Sequence, residues 1–228
     1  MNDLIKPAAA EFLGAFFIVF AASGAIMVDV ITGGVLGQVG TSVVFGLSVA
    51  LMILLFGSIS GGHFNPAISL VMLAVRGMPT MRLLVYLAVQ LAGGLTAAII
   101  LLNLLGDIAR LGTPLPNLEI ATVADVSATI LIIALEFVFA AMFIAVVLTF
   151  SKGIFLKGPL AAFSVGSAVV LVAFVGGPIT GAALNPARYF GTAVISGSFD
   201  YIVTYLSAIV FGAFAGALIF RLIVDKAD

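Results

Sequence analysis

The tripeptide Asn-Pro-Ala occurs twice in this chain, as Asn65, Pro66 and Ala67 and again as Asn185, Pro186 and Ala187. Asn is a favoured N-cap and Pro is favoured at the first helical position, so each triplet predicts a compact helix start. The apolar runs that follow, 65–76 and 185–196, would form helices of roughly 16 Å at ~1.5 Å per residue. That length is about half of the ~30 Å hydrocarbon core of a bilayer. The repeated motif therefore predicts two half-membrane helices.

The composition places the rest of the chain in lipid. Of 228 residues, 63% are hydrophobic and 8% are charged, whereas soluble domains carry about 25% charged residues. The nine Lys and Arg residues form no basic cluster, so nucleic acid is not expected as a partner. The chain has no Cys, which excludes disulfides and Cys-based metal sites, and we expect no metal and no cofactor.

Six apolar stretches are long enough to cross a bilayer. They are approximately 8–30, 40–60, 81–106, 126–150, 159–178 and 201–224. The first is too long for a cleavable signal, and it reads as a span. Mid-membrane helix ends are tolerated only where protein buries them or where they line a wet cavity. We predict an all-α membrane protein with six transmembrane helices and two re-entrant half-helices.

The basic residues predict the orientation. Alternating spans place most of them on one side of the membrane, namely Lys6, Arg76, Arg82, Lys152, Lys157, Arg221 and Lys226. Only Arg110 and Arg188 fall on the other side. By the positive-inside rule, both termini are cytoplasmic in a multi-pass protein of the cell membrane.

The two halves of the chain repeat one another. Glu11 matches Glu136 at an offset of 125 residues, while Gly46 matches Gly166 and the two triplets match at an offset of 120. Each half holds three spans, so the second half inserts upside down. We predict one channel domain over 1–228, built from inverted repeats at about 1–107 and 125–228. Such repeats place a site at the bilayer midplane, where half-helix N-termini face each other.

The chemistry of the two triplets predicts a pore. Each half-helix N-terminus carries a partial positive charge of roughly +0.5, which opposes cations. The side-chain amides of Asn65 and Asn185 can donate hydrogen bonds to the oxygen of water or of a small uncharged solute. An ordinary Asn-Pro turn explains one copy, but two copies at matching places disfavour that reading.

With both triplets, the two membrane glutamates, the "SGGHFNPA" approach and "NPAR", the chain resembles the major intrinsic protein family of aquaporins and aquaglyceroporins. The resemblance covers essentially the full length. It implies one pore per subunit, a homotetramer and a selectivity filter on the outer side. By their match to the family pattern, the filter residues would be Phe45, Ala173, Ala182 and Arg188.

The filter departs from both branches of that family. Water-selective members carry His where this chain has Ala173, so the filter should be wider and more apolar there. Glycerol facilitators typically carry Asp after the filter Arg, where this chain has Tyr189, and they have a second filter aromatic. Tyr205 followed by Leu206 leans towards the solute-conducting branch. The mixed pattern implies water and small neutral solutes, with glycerol, urea or metalloid hydroxides as an alternative main cargo.

Other candidate residues surround the triplets. Backbone carbonyls ahead of each one should line the path as acceptors, at Gly61, Gly62, His63, Phe64, Gly181, Ala182 and Ala183. Glu11 and Glu136 are expected to be structural, each accepting hydrogen bonds from the backbone N–H groups of a re-entrant loop. His63 is either a loop residue, a metal ligand or a pH-sensitive group, and the chain has no second His to complete a metal site.

Two other classes of function remain as rivals. An ion-coupled secondary transporter also uses inverted repeats, and Glu11 or Glu136 would then be its coupling group. Saturable flux that depends on an ion gradient would identify such a protein. An intramembrane enzyme is disfavoured, because Ser58, Ser60 and His63 lie in a glycine-rich loop and form no convincing nucleophile–base pair.

Overall fold

The computed structural model describes residues 2–151 and 158–224, and those residues fold into helices and connecting loops. The helices, in chain order, are α1 (Asn2–Ile31), α2 (Gly37–Ser60), α3 (Pro66–Arg76), α4 (Thr80–Leu105), α5 (Ala109–Gly112), α6 (Leu118–Val123), α7 (Ala128–Thr149), α8 (Pro159–Thr180), α9 (Pro186–Ser196) and α10 (Ile202–Ile219). A π-helical turn, Phe220–Val224, continues α10. The orienting residues Lys152, Lys157 and Lys226 lie outside the described residues.

The six predicted spans are confirmed as α1, α2, α4, α7, α8 and α10, each long and apolar enough to cross a membrane. The two half-membrane helices are confirmed as α3 and α9, each 11 residues long. Two details differ from the sequence prediction. Helix α1 continues back through Pro7 to Asn2, and Asp3 in its first turn suits the positive end of a helix. The connection 107–125 contains the short elements α5 and α6.

The spans alternate in direction and define two faces. We call the face where α1 begins and α10 ends the terminal face, and the face where α1 ends and α2 begins the far face. Contacts join α1 to α4, α2 to α8 and α7 to α10. The half-helices come from opposite faces: α3 runs from the centre towards the terminal face, and α9 from the centre towards the far face. They touch each other at the middle of the bundle.

Glycines set the closest crossings between helices. A Cβ added to Gly46 of α2 would collide with the carbonyl oxygen of Gly166 in α8, and a Cβ on Gly166 would collide with the carbonyl oxygen of Gly46. This reciprocal contact joins residues that match in the two repeats. Two other glycines also lie close to the backbone of a neighbouring helix, since a Cβ on Gly93 would collide with the Phe12 carbonyl and one on Gly212 with the Phe137 carbonyl. Small residues of this kind let helix backbones approach closely.

We expect Gly166→Val to destabilise the protein strongly, because the added atoms meet the backbone of α2 and the Cβ of Ala50. Overpacking typically lowers the free energy of unfolding by about 1–3 kcal/mol. Thermal unfolding and size exclusion in detergent would measure the effect. Gly57→Ala is the control, since its new Cβ would lie 3.5 Å from Ile53 Cγ2, an ordinary contact. Equal melting temperatures for the two variants would contradict the assignment of this crossing.

Candidate functional site

Each long helix that precedes a half-helix ends at a glycine. Gly61 ends α2 with φ 97°, and Gly181 ends α8 with φ 78°. Both values lie in the left-handed region, which glycine adopts at little cost. The two loops then turn inwards through further left-handed residues, Phe64 with φ 51° and Leu184 with φ 56°. These turns bring the backbone to the centre of the bundle, where its polar groups need partners.

Two buried carboxylates supply partners to the loop backbones. Glu11 of α1 accepts hydrogen bonds from the backbone N–H of His63 at 2.9 Å, from that of Phe64, and from Gln90 Nε2 at 2.8 Å. Glu136 of α7 accepts from the backbone N–H groups of Ala183 and Leu184 at 3.0 and 3.3 Å, and from Thr180 Oγ1 at 2.7 Å. Both glutamates are fully buried. These contacts accord with the structural role expected for the pair.

A pair of tyrosines holds the same loops from the third span of each half. Tyr86 of α4 donates its hydroxyl to the carbonyl of Ser60 at 2.6 Å. Tyr205 of α10 donates to the carbonyl of Thr180, also at 2.6 Å. Sequence reasoning missed this pair as a support of the loops, although the tyrosines stand 119 residues apart, close to the repeat offset. That spacing is the signal that could have found them.

The two asparagines cap their own half-helices and bond across the centre. The side-chain oxygen of Asn65 accepts from the backbone N–H of Ala67, and that of Asn185 accepts from Ala187, both at 2.9 Å. Asn65 Nδ2 donates to the Leu184 carbonyl at 3.1 Å. Asn185 Nδ2 donates to the Phe64 carbonyl at 2.9 Å. Each amide therefore uses one of its two hydrogens on the opposite loop and keeps the second.

A cavity of about 100 Å³ leads from the terminal face to the two asparagines. One side is formed by the first re-entrant loop, and it includes the predicted carbonyl residues Gly61, Gly62, His63 and Phe64. The other side is apolar and includes Ile18, Val49, Phe143, Val165 and Val169. His63 Nδ1 lies 3.0 Å from Ser69 Oγ, and its ring meets Tyr86 edge-on at 5.4 Å. The residues of the first re-entrant loop thus lie opposite a hydrophobic wall.

A second cavity, of about 170 Å³, opens towards the far face. Phe45, Ala173 and Arg188 all line it, so three of the four predicted filter residues lie around one space. Arg188 Nη1 donates to the carbonyls of Ala182 at 3.1 Å and Gly181 at 3.3 Å. The Arg188 Cζ atom lies 4.9 Å from the centre of the Phe45 ring. The arginine is 2% exposed and is held by backbone oxygens and an aromatic face.

The fourth predicted filter residue, Ala182, meets Arg188 through its backbone. Its side chain is fully buried, and its carbonyl oxygen is one of the two that accept from Arg188. Among the other predicted carbonyls, that of Ala183 accepts from the backbone N–H of Asn185 at 2.6 Å. Tyr189 is also fully buried and stacks on Tyr205 at 4.4 Å. The residue after the arginine therefore belongs to the packing behind α9.

Comparisons with known proteins agree with this geometry. A model of the major intrinsic protein family matches residues 1–220. The chain belongs to the major intrinsic protein family. This is a family of membrane channels, and the expectation that the protein is not an enzyme accords with it.

Plant proteins are among the similar members of the family. The chain is 37% identical over 217 residues to aquaporin NIP1-3 of Oryza sativa subsp. japonica, a match that covers 94% of this chain and 72% of the relative. It is 36% identical over 216 residues to probable aquaporin NIP4-2 of Arabidopsis thaliana, covering 93% and 72%. Nodulin-26 of Glycine max is 30% identical over 215 residues, covering 94% and 76%.

A solved structure shows the same fold. The aquaglyceroporin from Plasmodium falciparum superposes with a TM-score of 0.81 at 22% identity, and the match covers 97% of this chain and 96% of that one. The predicted aquaporin-like arrangement of six spans and two half-helices is therefore confirmed. The resemblance to the major intrinsic protein family that the motifs suggested is confirmed as well.

We expect Glu136→Gln to lower the melting temperature of this family member by several degrees. The amide would place an NH₂ donor against groups that themselves donate, and each buried donor left unpaired costs about 1–3 kcal/mol. Thermal unfolding in detergent is the measurement. Glu119→Gln makes the same chemical change at an exposed residue of α6, and its effect should be small. Equal melting temperatures for the two variants would contradict a structural role of Glu136.

Proposed function

We propose that this protein is a passive channel that conducts water and small neutral solutes and excludes ions and protons. One observation carries the proposal: two cavities enter from opposite faces, and both are lined by Phe45. The cavity of the terminal face reaches Asn65 and Asn185, where the half-helices begin. A path that narrows at the centre and opens at both ends is the geometry of a channel, and selectivity follows from its width and its donors and acceptors.

Exclusion of charge has two sources in this proposal. The N-termini of α3 and α9 present their partial positive charges at the centre, which disfavours a cation there. Arg188 adds a full positive charge at the far-face cavity. The remaining amide hydrogens of Asn65 and Asn185 donate to the oxygen of a central water, so that this water cannot accept a proton from its neighbour. Neutral molecules with a free acceptor oxygen meet no such barrier.

The solute range follows from the wall at Ala173. A small apolar side chain there leaves the far-face cavity wider than a His would, so solutes larger than water can enter. The relatives from Oryza sativa and Arabidopsis thaliana are aquaporins by name, which supports conduction of water. Conduction mainly of glycerol, urea or metalloid hydroxides, with little water flux, is the alternative within the same channel class.

The ion-coupled transporter receives less support than the channel. Its coupling carboxylates would have to bind and release an ion or proton at the midplane. Glu11 and Glu136 each accept three hydrogen bonds from the loops and neighbouring spans. These glutamates hold the backbone, so they are poorly placed to exchange a ligand.

We also propose that the terminal face is cytoplasmic, that the protein lies in the cell membrane, and that it forms a homotetramer in the lipid bilayer. Arg76 and Arg82 flank the connection between α3 and α4 on the terminal face, in line with the positive-inside rule. Large apolar side chains are exposed on the spans, including Leu55 at 60% and Phe211 at 67%. Lipid and neighbouring subunits would cover such surfaces.

Stopped-flow light scattering on proteoliposomes tests the channel directly. We expect osmotic shrinkage well above that of protein-free vesicles, followed by re-swelling in glycerol and urea gradients that needs no ion gradient. Water, glycerol, urea and a neutral metalloid acid should be compared in one preparation. Shrinkage and re-swelling no faster than in protein-free vesicles would refute the channel, and flux that collapses without an ion gradient would favour the transporter.

We expect Ala173→His to reduce glycerol permeability more than water permeability, by about tenfold or more in their ratio. The imidazole would fill part of the far-face cavity that Ala173 lines. A narrower opening lowers the permeability of a larger solute more than that of water. The ratio is measured in the same vesicles, which cancels differences in reconstitution. Ala173→Gly is the control and should leave the ratio equal or higher. A ratio that Ala173→His leaves unchanged argues against this residue as part of the filter.

A further inference from the structure

A glutamine that is not among the predicted filter residues lies beside Ala173, where the small side chain widens the filter. Gln38 is the second residue of α2 and lines the far-face cavity together with Ala173 and Arg188. Its side-chain Nε2 donates to the carbonyl of Ala173 at 2.7 Å. Span 2 thus places a polar group on the side of the cavity where the filter residue of span 5 is only a methyl group.

A proline in α8 explains why the glutamine amide binds there. Pro178 lies inside α8 and has no N–H, so the carbonyl of Phe174, four residues earlier, receives no hydrogen bond from it. Gln38 Nε2 lies 3.4 Å from that carbonyl and 2.7 Å from the preceding one, at Ala173. Because carbonyls only accept, this environment orients the amide with Nε2 towards α8.

Three further features help to position the Gln38 side chain. Ser42 Oγ donates to the backbone carbonyl of Gln38 at 2.7 Å and lies 3.2 Å from Nε2. Asp29 Oδ1 accepts from the backbone N–H groups of Leu36 and Gly37 at 2.8 and 2.7 Å, which anchors the start of α2. A Cβ at Gly177 would collide with Nε2, so this glycine leaves the space that the amide fills.

The other end of the amide carries the acceptor oxygen Oε1. Gln38 is half-buried, and its Oε1 has no hydrogen-bond partner among the residues that the structure describes. Gln38 and Arg188 line the same cavity, so its lining includes a residue with a free acceptor and a residue with donors, together with Phe45 and Ala173. A solute with several hydroxyl groups can donate to one wall and accept from the other.

We propose that Gln38 is a specificity-determining residue of the far-face filter, where its Oε1 accepts a hydrogen bond from small neutral solutes that carry two or more hydroxyl groups. This inference rests on the proposed channel function and names a preferred solute class for it. Water gains less from the arrangement, because it has a single oxygen, whereas a polyol bonds through two separate hydroxyl groups.

Permeability ratios test the proposal. Gln38→Leu keeps similar bulk and removes the acceptor, and it should lower the ratio of glycerol to water permeability by about threefold to tenfold, the effect of one neutral hydrogen bond. Gln38→Met also removes the amide at similar bulk, and it should lower the same ratio. Asn103→Leu is the matched control, because its amide bonds, among the described residues, only to the Ile99 carbonyl of its own helix. That variant should keep the parent ratio.

The possible results separate three readings. A lower ratio in Gln38→Leu and Gln38→Met, with melting temperatures that show folded protein, supports the proposal. If Gln38→Leu is not monodisperse, the ratio in Gln38→Met decides. An unchanged ratio overturns the proposal, including the case in which water and glycerol permeability fall together, since Gln38 would then only support α8. A parent protein that conducts neither solute overturns the channel function itself.

Discussion

Backbone N–H groups that enter a membrane without water must find partners inside the protein, and this requirement shapes the whole molecule. The half-helices depend on the loops before them, and side chains of the surrounding spans hold the backbone of these loops with hydrogen bonds. Glu11 and Glu136 reach the loop N–H groups from the first span of each half, and Tyr86 and Tyr205 bind carbonyls from the third. A charge-bearing side chain in an apolar helix is costly unless it is hydrogen-bonded in this way. The spans form a frame that supports two short pieces of exposed backbone.

Because the repeat is inverted, the same arrangement of spans, loop and half-helix occurs at both faces. Gly46 and Gly166 meet at the crossing of α2 and α8, and each makes room for the backbone of the other. The close approach brings the second span of each half, and the glycine that ends it, towards the same centre. The loops consequently start on opposite faces and meet tip to tip. The differences between the halves then determine the chemistry of the path, since Arg188 follows one triplet and Ser69 lies near the other.

Sequence patterns predicted the six spans and the two half-helices, because those features rest on local rules. Length and hydropathy identify spans, and Asn-Pro predicts a helix start with a known cap. Contacts between distant helices leave no such pattern. A tyrosine hydroxyl that reaches a carbonyl in another span, or Gln38 beside the proline break of α8, depends on the packing of whole elements. The contact between Arg188 and the carbonyl of Ala182, whose backbone has a left-handed φ of 46°, is likewise not visible in the sequence.

The reciprocal bonds of the asparagines have a mechanical consequence. Asn65 is tied to the second loop and Asn185 to the first, so the midpoint of the molecule is a clasp between the two repeats. Rocking one repeat against the other, as alternating-access carriers do, would have to break both of these bonds at the centre of the bundle. The clasp therefore favours a static conduit, open to both sides at once. Flux through such a conduit runs down the concentration gradient of the solute and needs no conformational cycle of the protein.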